Sequence, residues 1–209
     1  MSGIANINRI TVRHQATVDE IVAAAWELSR ANGLGNFSMR ELGERVGMRA
    51  QSVYSYFASK LEIFDAMFAE GNRALLACMQ APTDTAGADN DLVAAMASGM
   101  HRYFRFCTTD PIRYQLLFQR TIPDFVPTPD SIAIAQQAYD VALAPLRALG
   151  IDQSGLDLFT SVMAGLVAQQ ISNEPDGDRW ERQIERAVKM LTHELAPDVG
   201  TTKRSRKRA

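Results

Sequence analysis

The segment FSMRELGERVGMRAQSVYSYFASK, residues 37–60, decides the fold of this chain. Its residues 38–41, SMRE, form a capping-box pattern, in which the Ser hydroxyl and the Glu carboxylate each accept a hydrogen bond from a free backbone N–H at the start of a helix. Gly47 ends that helix, as glycine does after a C-cap. A second helix is predicted from Arg49, with Val53 and Phe57 on its buried side. The segment therefore predicts two short helices joined by a tight turn.

Such an arrangement is typical of a helix-turn-helix, whose second helix lies in the major groove of DNA. Gly43, Gly47 and Val53 fit its spacing, since they supply a small residue where the helices touch, a turn glycine and a β-branched core residue. The exposed positions carry hydrogen-bond donors suited to phosphates and base edges. These donors are Arg40, Arg49, Gln51, Ser52, Tyr54, Ser55, Tyr56 and Lys60. The alternative is an ordinary helical hairpin with a solvated polar face.

The same residues resemble the DNA-binding domain of the tetracycline-repressor (TetR) family over about residues 17–70. The matching pattern is Gly33-x3-Phe37-Ser38-Met39-Arg40-x-Leu42-Gly43-x3-Gly47-Met48-x4-Val53-Tyr54-x-Tyr56-Phe57-x-Ser59-Lys60. Three positions depart from the usual family pattern. Gly43 stands where Ala is commoner, Tyr56 where His is common, and Leu61 where an acidic residue often follows the Lys.

The resemblance implies how individual residues of this segment contact DNA. Base edges are expected to be read by Arg40, Ala50, Gln51 and Ser52, and phosphates to be held by Ser38, Tyr54, Tyr56 and Lys60. Arg49, at the start of the second helix, is suited to either role. Gln51 has the donor and acceptor pair that matches adenine, and Arg40 has the fork that matches guanine.

The composition of the 209-residue chain is that of an ordinary globular protein, with 46% hydrophobic and 22% charged residues and a net charge of −2. The charge is unevenly distributed. Residues 1–60 carry seven Lys/Arg and five Asp/Glu, residues 61–202 carry ten and nineteen, and residues 203–209 carry five basic residues and no acidic one. A polyanion is therefore expected to approach the basic ends and not the acidic body.

Sequence features that direct a chain to a membrane or a metal are missing. No apolar run is long enough to span a bilayer, and the N-terminal stretch MSGIANINRITVRH lacks the apolar core of a signal peptide. Cys78 and Cys107 lack metal-ligand spacing. We therefore expect a cytoplasmic protein with reduced thiols and with no metal, cofactor or membrane contact.

An enzyme is the first alternative class, and the sequence argues against it. The three histidines, His14, His101 and His193, belong to no catalytic or metal-binding motif. The stretch 33–35, GLG, lacks the third glycine of a dinucleotide-binding loop, and no predicted strand precedes it. Patterns for a P-loop or a nucleophile elbow are absent. We therefore predict a protein without catalytic residues.

Helical periodicity and capping signals predict an all-α fold of about nine helices without strands. The expected architecture is an N-terminal three-helix helix-turn-helix DNA-binding domain followed by a larger helical ligand-binding and dimerisation domain. The predicted divisions are a flexible N-terminal arm at 1–16, the DNA-binding domain at 17–62, the effector-binding and dimerisation domain at 63–198, and a basic disordered tail at 199–209.

The two ends of this helical chain are predicted from local signals. The first helix is expected to begin at the capping box TVDE, residues 17–20, which leaves the residues before it as a polar arm. Arg9, Arg13 and His14 in this arm could reach phosphates or the minor groove, and the alternative is a disordered terminus without DNA contacts. The last helix is expected from Asp178 to Leu195.

The helical body is rich in Met, Phe and Tyr, which can line an adaptable apolar pocket. Members of the TetR family commonly bind a small, often hydrophobic or amphipathic effector there and lose DNA affinity, so the resemblance implies such an effector. The residues predicted to line its pocket are Met96, Met100, Tyr103, Phe104, Tyr114, Phe118, Phe125, Met163 and Gln170. The alternative is that most of these side chains are ordinary core.

A single reading helix covers only a few base pairs, and high affinity needs two of them across a palindrome. The resemblance implies a homodimer through the last two helices, bound to a palindromic operator in double-stranded DNA. Ala164 and Gly165 would allow a partner helix to approach closely, whereas the alternative is that both helices bury their apolar sides within one chain. Repression is the usual mode of the family. A helical ligand-binding module and a constitutive DNA-binding regulator without an effector stay open as other functions.

Overall fold

The structure is a computed structural model of the chain and describes residues 2–81 and 92–196. These residues form nine α-helices and one short 3-10 helix, with no strand among them, so the all-α prediction is confirmed. The helices are α1 (Ser2–Asn32), α2 (Met39–Arg45), α3 (Ala50–Val53), α4 (Lys60–Gln80), α5 (Leu92–Thr109), α6 (Pro111–Phe118), α7 (Pro129–Ala148), α8 (Gln153–Asn173) and α9 (Ile184–Leu195). The predicted tail at 199–209 lies outside the described residues.

The first helix is longer than predicted. It begins at Ser2, so the predicted arm at 1–16 is helical from that residue onward. The Thr17 hydroxyl donates to the Arg13 carbonyl at 3.2 Å, one turn earlier in the same helix. A threonine can satisfy its hydroxyl in this way as well as by capping, so the TVDE pattern does not by itself start a helix.

The last helix is shorter than predicted. A 3-10 turn at Glu181–Gln183 precedes α9, which begins at Ile184 and not at Asp178. The backbone N–H of Trp180 donates to the Gln170 side chain at 3.1 Å, so the residues before the 3-10 turn are held by α8 through side-chain bonds. The Trp180 N–H is therefore satisfied without an additional helical turn.

The chain divides into two compact units that do not follow the predicted boundary between residues 62 and 63. The first unit contains Met1–Gly71 and Ile112–Ala133, and the second contains Asn72–Pro111 and Ile134–Ala209. The divisions fall inside α4, after the first residue of α6, and inside α7. Helix α6 from Ile112 onward and the irregular segment after it therefore belong with the helix-turn-helix, although the sequence predicted them to be part of the effector-binding body.

The first unit packs α1, α2, α3 and the start of α4 around an apolar core. Its fully buried side chains include Ile21, Leu42, Val53, Ile63 and Met67. Burying one such side chain stabilises the fold by about 1.5–3 kcal/mol. This core holds the short α3 in place, since a four-residue helix is not stable in isolation.

The second unit is built around α5, α8 and α9, which pack on one another. Its buried residues include Phe104 of α5, Phe159 and Val167 of α8, and Ile184 and Val188 of α9. Both cysteines are free thiols. None of the described helices is long and apolar enough to cross a membrane. Within the described ranges, no group of three or more His, Cys, Asp or Glu side chains is placed to hold a metal ion.

Candidate nucleic-acid interface

The predicted capping box starts α2. The Ser38 N–H donates to the Glu41 carboxylate at 2.7 Å, and the Glu41 N–H donates to the Ser38 hydroxyl at 3.2 Å. The hydrogen bonds from Ser38 hold the pKa of the Glu41 carboxyl below its usual value. Because the carboxylate is the form that accepts hydrogen bonds from Ser38, the complete cap is present above the ordinary glutamate pKa and is lost as the pH falls through the lowered value.

The turn after α2 depends on two glycines. Gly47 has φ +69°, a conformation that L side chains rarely adopt, and it allows the chain to leave the helix. The Met48 N–H then donates to the Gly43 carbonyl at 2.8 Å. Gly43 is buried, and a Cβ there would lie 2.8 Å from the Met48 carbonyl oxygen and 3.1 Å from the Ala50 nitrogen. The close approach of α2 and α3 therefore requires a residue without a side chain.

Helix α3 is shorter than the predicted Arg49–Tyr56. Arg49 is its extended N-cap residue, and regular helix covers Ala50–Val53. Helical turns continue to Phe57, whose N–H donates to the Val53 carbonyl at 3.1 Å. Val53 and Phe57 are buried, as their spacing predicted. These two anchors fix which side of α3 faces solvent.

The solvent side of α3 and its flanking residues, together with Arg40 on α2, carries the donors expected to meet DNA. Arg40, Arg49, Gln51 and Ser52 are exposed, and Tyr54 is 47% exposed. We call these five residues the donor face. Arg40 makes only a 3.6 Å ion pair with Glu44, and its side chain is 81% exposed. Such a surface pair contributes little stability, so the guanidinium is available to a stronger partner.

Three other predicted DNA residues are already partly occupied within the protein. The Ser38 hydroxyl is used by the α2 cap, donating to Glu41 at 2.7 Å. Ala50 is half-buried, and the half-buried ring of Tyr56 lies with its centroid 5.0 Å from that of His14. The contact with His14 was not anticipated from the sequence, because it depends on α1 extending beyond the predicted start.

Lys60 occupies a structural position. Its ammonium group donates to the carbonyl oxygen of Gly35 at 2.5 Å and to that of Phe37, and it lies 4.4 Å from the centre of the Phe37 ring. Burial lowers the pKa of this amine, and the nearby Glu41 carboxylate partly offsets that effect. The geometry shows a lysine that fastens the loop before α2 to the start of α4. A phosphate contact would compete with both bonds, so we leave Lys60 out of the donor face.

Substituting Lys60 with methionine is expected to lower the free energy of unfolding by about 1–2 kcal/mol, because two carbonyls lose a charged donor. The salt dependence of DNA binding is expected to stay unchanged, which salt titration of a labelled duplex measures. Arg49→Met is the matched comparison. We expect it to reduce the slope of the logarithm of the binding constant against the logarithm of the salt concentration by about 1 in magnitude. A weaker salt dependence for Lys60→Met would instead support the phosphate contact that the sequence predicts for Lys60.

The family comparison agrees with this geometry. Residues 21–67 match the family described as bacterial regulatory proteins, tetR family. The chain belongs to the TetR family. The matched span runs from α1 through the helix-turn-helix into α4. This TetR-family chain is therefore a DNA-binding transcriptional regulator and not an enzyme.

Known relatives of this TetR-family chain extend the similarity beyond the matched segment. It is 25% identical to the HTH-type transcriptional repressor Rv1353c of Mycobacterium tuberculosis over 189 residues, which cover 88% of this chain and 67% of that protein. A crystal structure of a tetR-family transcriptional regulator from Streptomyces coelicolor shares its fold, with a TM-score of 0.64, 17% identity and coverage of 89% of this chain and 86% of that one. A single-residue variant of TetR from Acinetobacter baumannii, solved in complex with minocycline, has a TM-score of 0.57 and 17% identity, with coverage of 84% and 96%.

The nine residues predicted to line an effector pocket are divided between the two units of this TetR-family protein. Met96 and Met100 line one apolar cavity of about 210 Å³ in the second unit. Phe104 and Met163, in the same unit, are buried core. Tyr103 packs on a cluster that contains Leu75, Met79 and Ala138. Only the two methionines of the predicted set are therefore brought to this cavity.

The aromatic residues of α6 and the segment after it belong to the first unit. The rings of Tyr114 and Phe118 are 5.4 Å apart. Phe125 makes edge contacts with Phe64 and Phe68 of α4, at 6.1 and 6.3 Å between ring centroids. None of these three predicted residues lines the cavity of the second unit, so their place in an effector pocket stays a prediction.

Gln170 is buried but has a structural use. Its amide nitrogen donates to the carbonyls of Glu174 and Gly177, the second at 2.9 Å, and its amide oxygen accepts from the Trp180 N–H at 3.1 Å. The side chain thus organises the loop between α8 and α9. Its position on an apolar helix face could not reveal this role from the sequence, since the partners lie in an irregular loop.

Proposed function

We propose that this TetR-family regulator is a repressor that binds a palindromic operator as a homodimer and is released by a small apolar or amphipathic effector. The observation that carries the proposal is the donor face, with its five exposed side chains on a helix pair held by Gly43. A repressor acts on chromosomal DNA, so the proposal includes a cytoplasmic location. The mycobacterial relative is named a transcriptional repressor, which supports repression and not activation.

The donor face supports sequence-specific binding. Arg40 and Gln51 present the side chains that pair bidentately with guanine and adenine, and both are exposed. Ser52 and Arg49 are exposed beside them, and the Tyr54 hydroxyl is suited to a phosphate. Arg49, Gln51 and Tyr54 come from α3 and its two flanking positions, so we assign α3 to the major groove.

The dimer is proposed to form through α8 and α9. Leu158 on α8 is 47% exposed and Met190 on α9 is 60% exposed. Gly165 is exposed, and a Cβ there would meet no atom within 4 Å. Two exposed apolar side chains and the open space at Gly165 suit close packing of these helices against a second copy. A two-fold dimer would place two reading helices on half-sites about 34–36 Å apart.

The effector is proposed to bind in the second unit, where the cavity of about 210 Å³ is lined by Met96 and Met100. Binding there shifts DNA affinity only if the effector prefers the conformation that does not fit the operator. Helix α4 continues from the first unit into the second, which makes it the proposed connection. The Acinetobacter protein solved with minocycline is a fold relative with a bound small molecule.

Selection of bound duplexes from a random DNA pool at near-physiological salt tests the regulator and the dimer together. We expect a palindromic motif with fixed spacing between half-sites, and a dimer in sedimentation analysis of the same preparation. A pool that stays random, with binding lost as salt rises, would indicate a helical ligand-binding module. Recovery of the motif with a protein that no small molecule releases would indicate a constitutive regulator.

Arg40→Ala is expected to relax specificity at one base position of each half-site and to cost about 1–3 kcal/mol of binding free energy there. The physical reason is the loss of one bidentate contact to a base edge. Repeating the DNA selection with the variant measures the change. Arg30→Ala, at an exposed position on α1, serves as the matched control and should leave the motif intact. Equal weakening on operator and random DNA would contradict a base-reading role for Arg40.

A further inference from the structure

Two cavities of the second unit share one residue, Arg102 of α5. The first is the apolar cavity of about 210 Å³, which is also lined by Met96, Met100 and Phe159. The second is a more open groove of about 620 Å³, whose lining includes other basic or titratable side chains. Those side chains are His101, Arg105, Glu185 and Lys189. Arg102 therefore lies where an apolar space meets a mainly basic one.

The Arg102 guanidinium is incompletely satisfied by the protein. Its Nε and Nη1 atoms are buried and have no hydrogen-bond acceptor, and Nη2 makes only a 3.4 Å bond to the Met79 carbonyl. No carboxylate of the described residues forms an ion pair with it. Glu181 pairs instead with Arg105 at 2.7 Å and with His101 at 3.3 Å. Arg102 thus keeps at least two buried N–H donors free.

An arginine in this state is energetically unfavourable without a partner. The guanidinium remains charged at any physiological pH, and buried charges in proteins are paired and hydrogen-bonded. An anion with two acceptor oxygens matches the free donors, since carboxylates pair with arginine through two parallel bonds. The adjoining cavity then determines what the rest of the anion must be, because its lining beyond Arg102 is apolar.

We propose that the second unit binds an organic monocarboxylate, with its carboxylate on Arg102 and its apolar body in the cavity lined by Met96 and Met100. The inference rests on the proposed effector role and specifies its chemical class. At about 30 Å³ for each non-hydrogen atom, the volume of a water molecule in the liquid, the cavity holds an apolar body of about seven carbon atoms. The tail of octanoate has this size. The basic groove attracts the carboxylate from solution.

Titration calorimetry of the full chain with octanoate, 1-octanol and octylamine tests the class of ligand. We expect octanoate to bind at least about tenfold more tightly than 1-octanol, and octylamine not to bind. Arg102→Met is expected to weaken octanoate binding by about 10- to 100-fold, the effect of losing a charged hydrogen-bond partner. Its effect on 1-octanol is expected to be less than about twofold, since the alcohol carries no charge. Arg182→Gln, in the same unit but outside both cavities and paired with Asp178 at 3.2 Å, is the matched control and should keep the octanoate affinity.

The thermal midpoint of the unliganded variants separates a binding role from a structural one. Methionine matches the arginine stem without its buried charge, so Arg102→Met should unfold at the same or a higher temperature than the unsubstituted chain. In addition, octanoate should raise the midpoint of the unsubstituted chain and not that of the variant. A lower midpoint for unliganded Arg102→Met would show that the guanidinium supports the fold, and would overturn the proposal.

Three other results would also overturn the proposal. They are equal affinities for octanoate and 1-octanol, octanoate binding that survives Arg102→Met, and binding of neither ligand. These failures are distinguishable from failure of the proposed function. Binding of the protein to the operator selected from the random pool is measured without any ligand. This measurement tests the DNA-binding function independently of the effector. Release of that operator by 1-octanol and not by octanoate would support the proposed apolar effector and exclude a carboxylate as its chemical class.

Discussion

Substituting Gly43 with valine is expected to cost at least about 3 kcal/mol of folding free energy in the first unit, the upper end of the range for overpacking. A Cβ at this position would lie 2.8 Å from the Met48 carbonyl oxygen, and backbone at 3.1 Å limits any sideways relief. The turn must open, and α3 must move away from α2. Urea unfolding followed by circular dichroism measures the loss, and titration of the selected operator should show that DNA binding is abolished.

Gly99→Ala provides the control for a glycine substitution within a helix. Gly99 is buried in α5, yet a Cβ there would meet no atom within 4 Å. We expect this variant to be more stable than the unsubstituted chain by about 0.5–1 kcal/mol, since alanine is the better helix former. Operator binding that survives in Gly43→Val would contradict the close approach of α2 and α3 as the feature that positions the donor face.

Replacing Asp65 with alanine is expected to lower the free energy of unfolding by about 3 kcal/mol, since hydrogen bonds to a charged group contribute about 1.5–3 kcal/mol each and are not additive. The Asp65 carboxylate in α4 accepts from the Thr128 N–H at 2.7 Å, from the Thr128 hydroxyl at 2.9 Å and from the Ser131 hydroxyl at 2.9 Å. Ser131 is only 3% exposed, so its hydroxyl would lose a buried charged partner. Thermal and urea unfolding measure the effect.

Asp130→Ala separates this network from the general effect of an acidic residue near a helix start. Asp130 is exposed in the first turn of α7, and no hydrogen bond to its side chain is seen among the described contacts. Its loss should cost about 0.3–1 kcal/mol, the usual interaction with the helix dipole. Similar losses for the two variants would show that Asp65 acts through charge alone and not through the bonds to Thr128 and Ser131.

The helix-turn-helix could be predicted because its signals are local. The SMRE pattern starts α2, Gly47 ends its turn, and Val53 and Phe57 are buried. Each of these outcomes depends on residues within one or two helical turns. The same reasoning was wrong at Thr17, where a capping pattern lies inside α1. A local signal of this kind permits a helix start but does not require one when the preceding residues are also able to be helical.

Side chains with several possible uses could not be assigned from the chain alone. Lys60 ends a family motif that predicts a phosphate contact, yet its amine bonds to carbonyls 25 and 23 residues away. Gln170 lies on an apolar helix side that predicts a pocket, yet its amide holds a loop. Arg102 carried no sequence signal at all. Its importance comes from burial and from the absence of a protein partner for two of its donors.

The sequence by itself determined the all-α class, the place of the helix-turn-helix and the exposed donors of α3, because capping, turn chemistry and helical period act over a few residues. Only the tertiary structure decided which aromatic residues share a unit, that Asp65 anchors the start of α7, and that Arg102 adjoins an apolar cavity. These features depend on contacts between residues far apart in the chain. Periodicity can indicate which side of a helix is buried, but it cannot identify the partner that covers it.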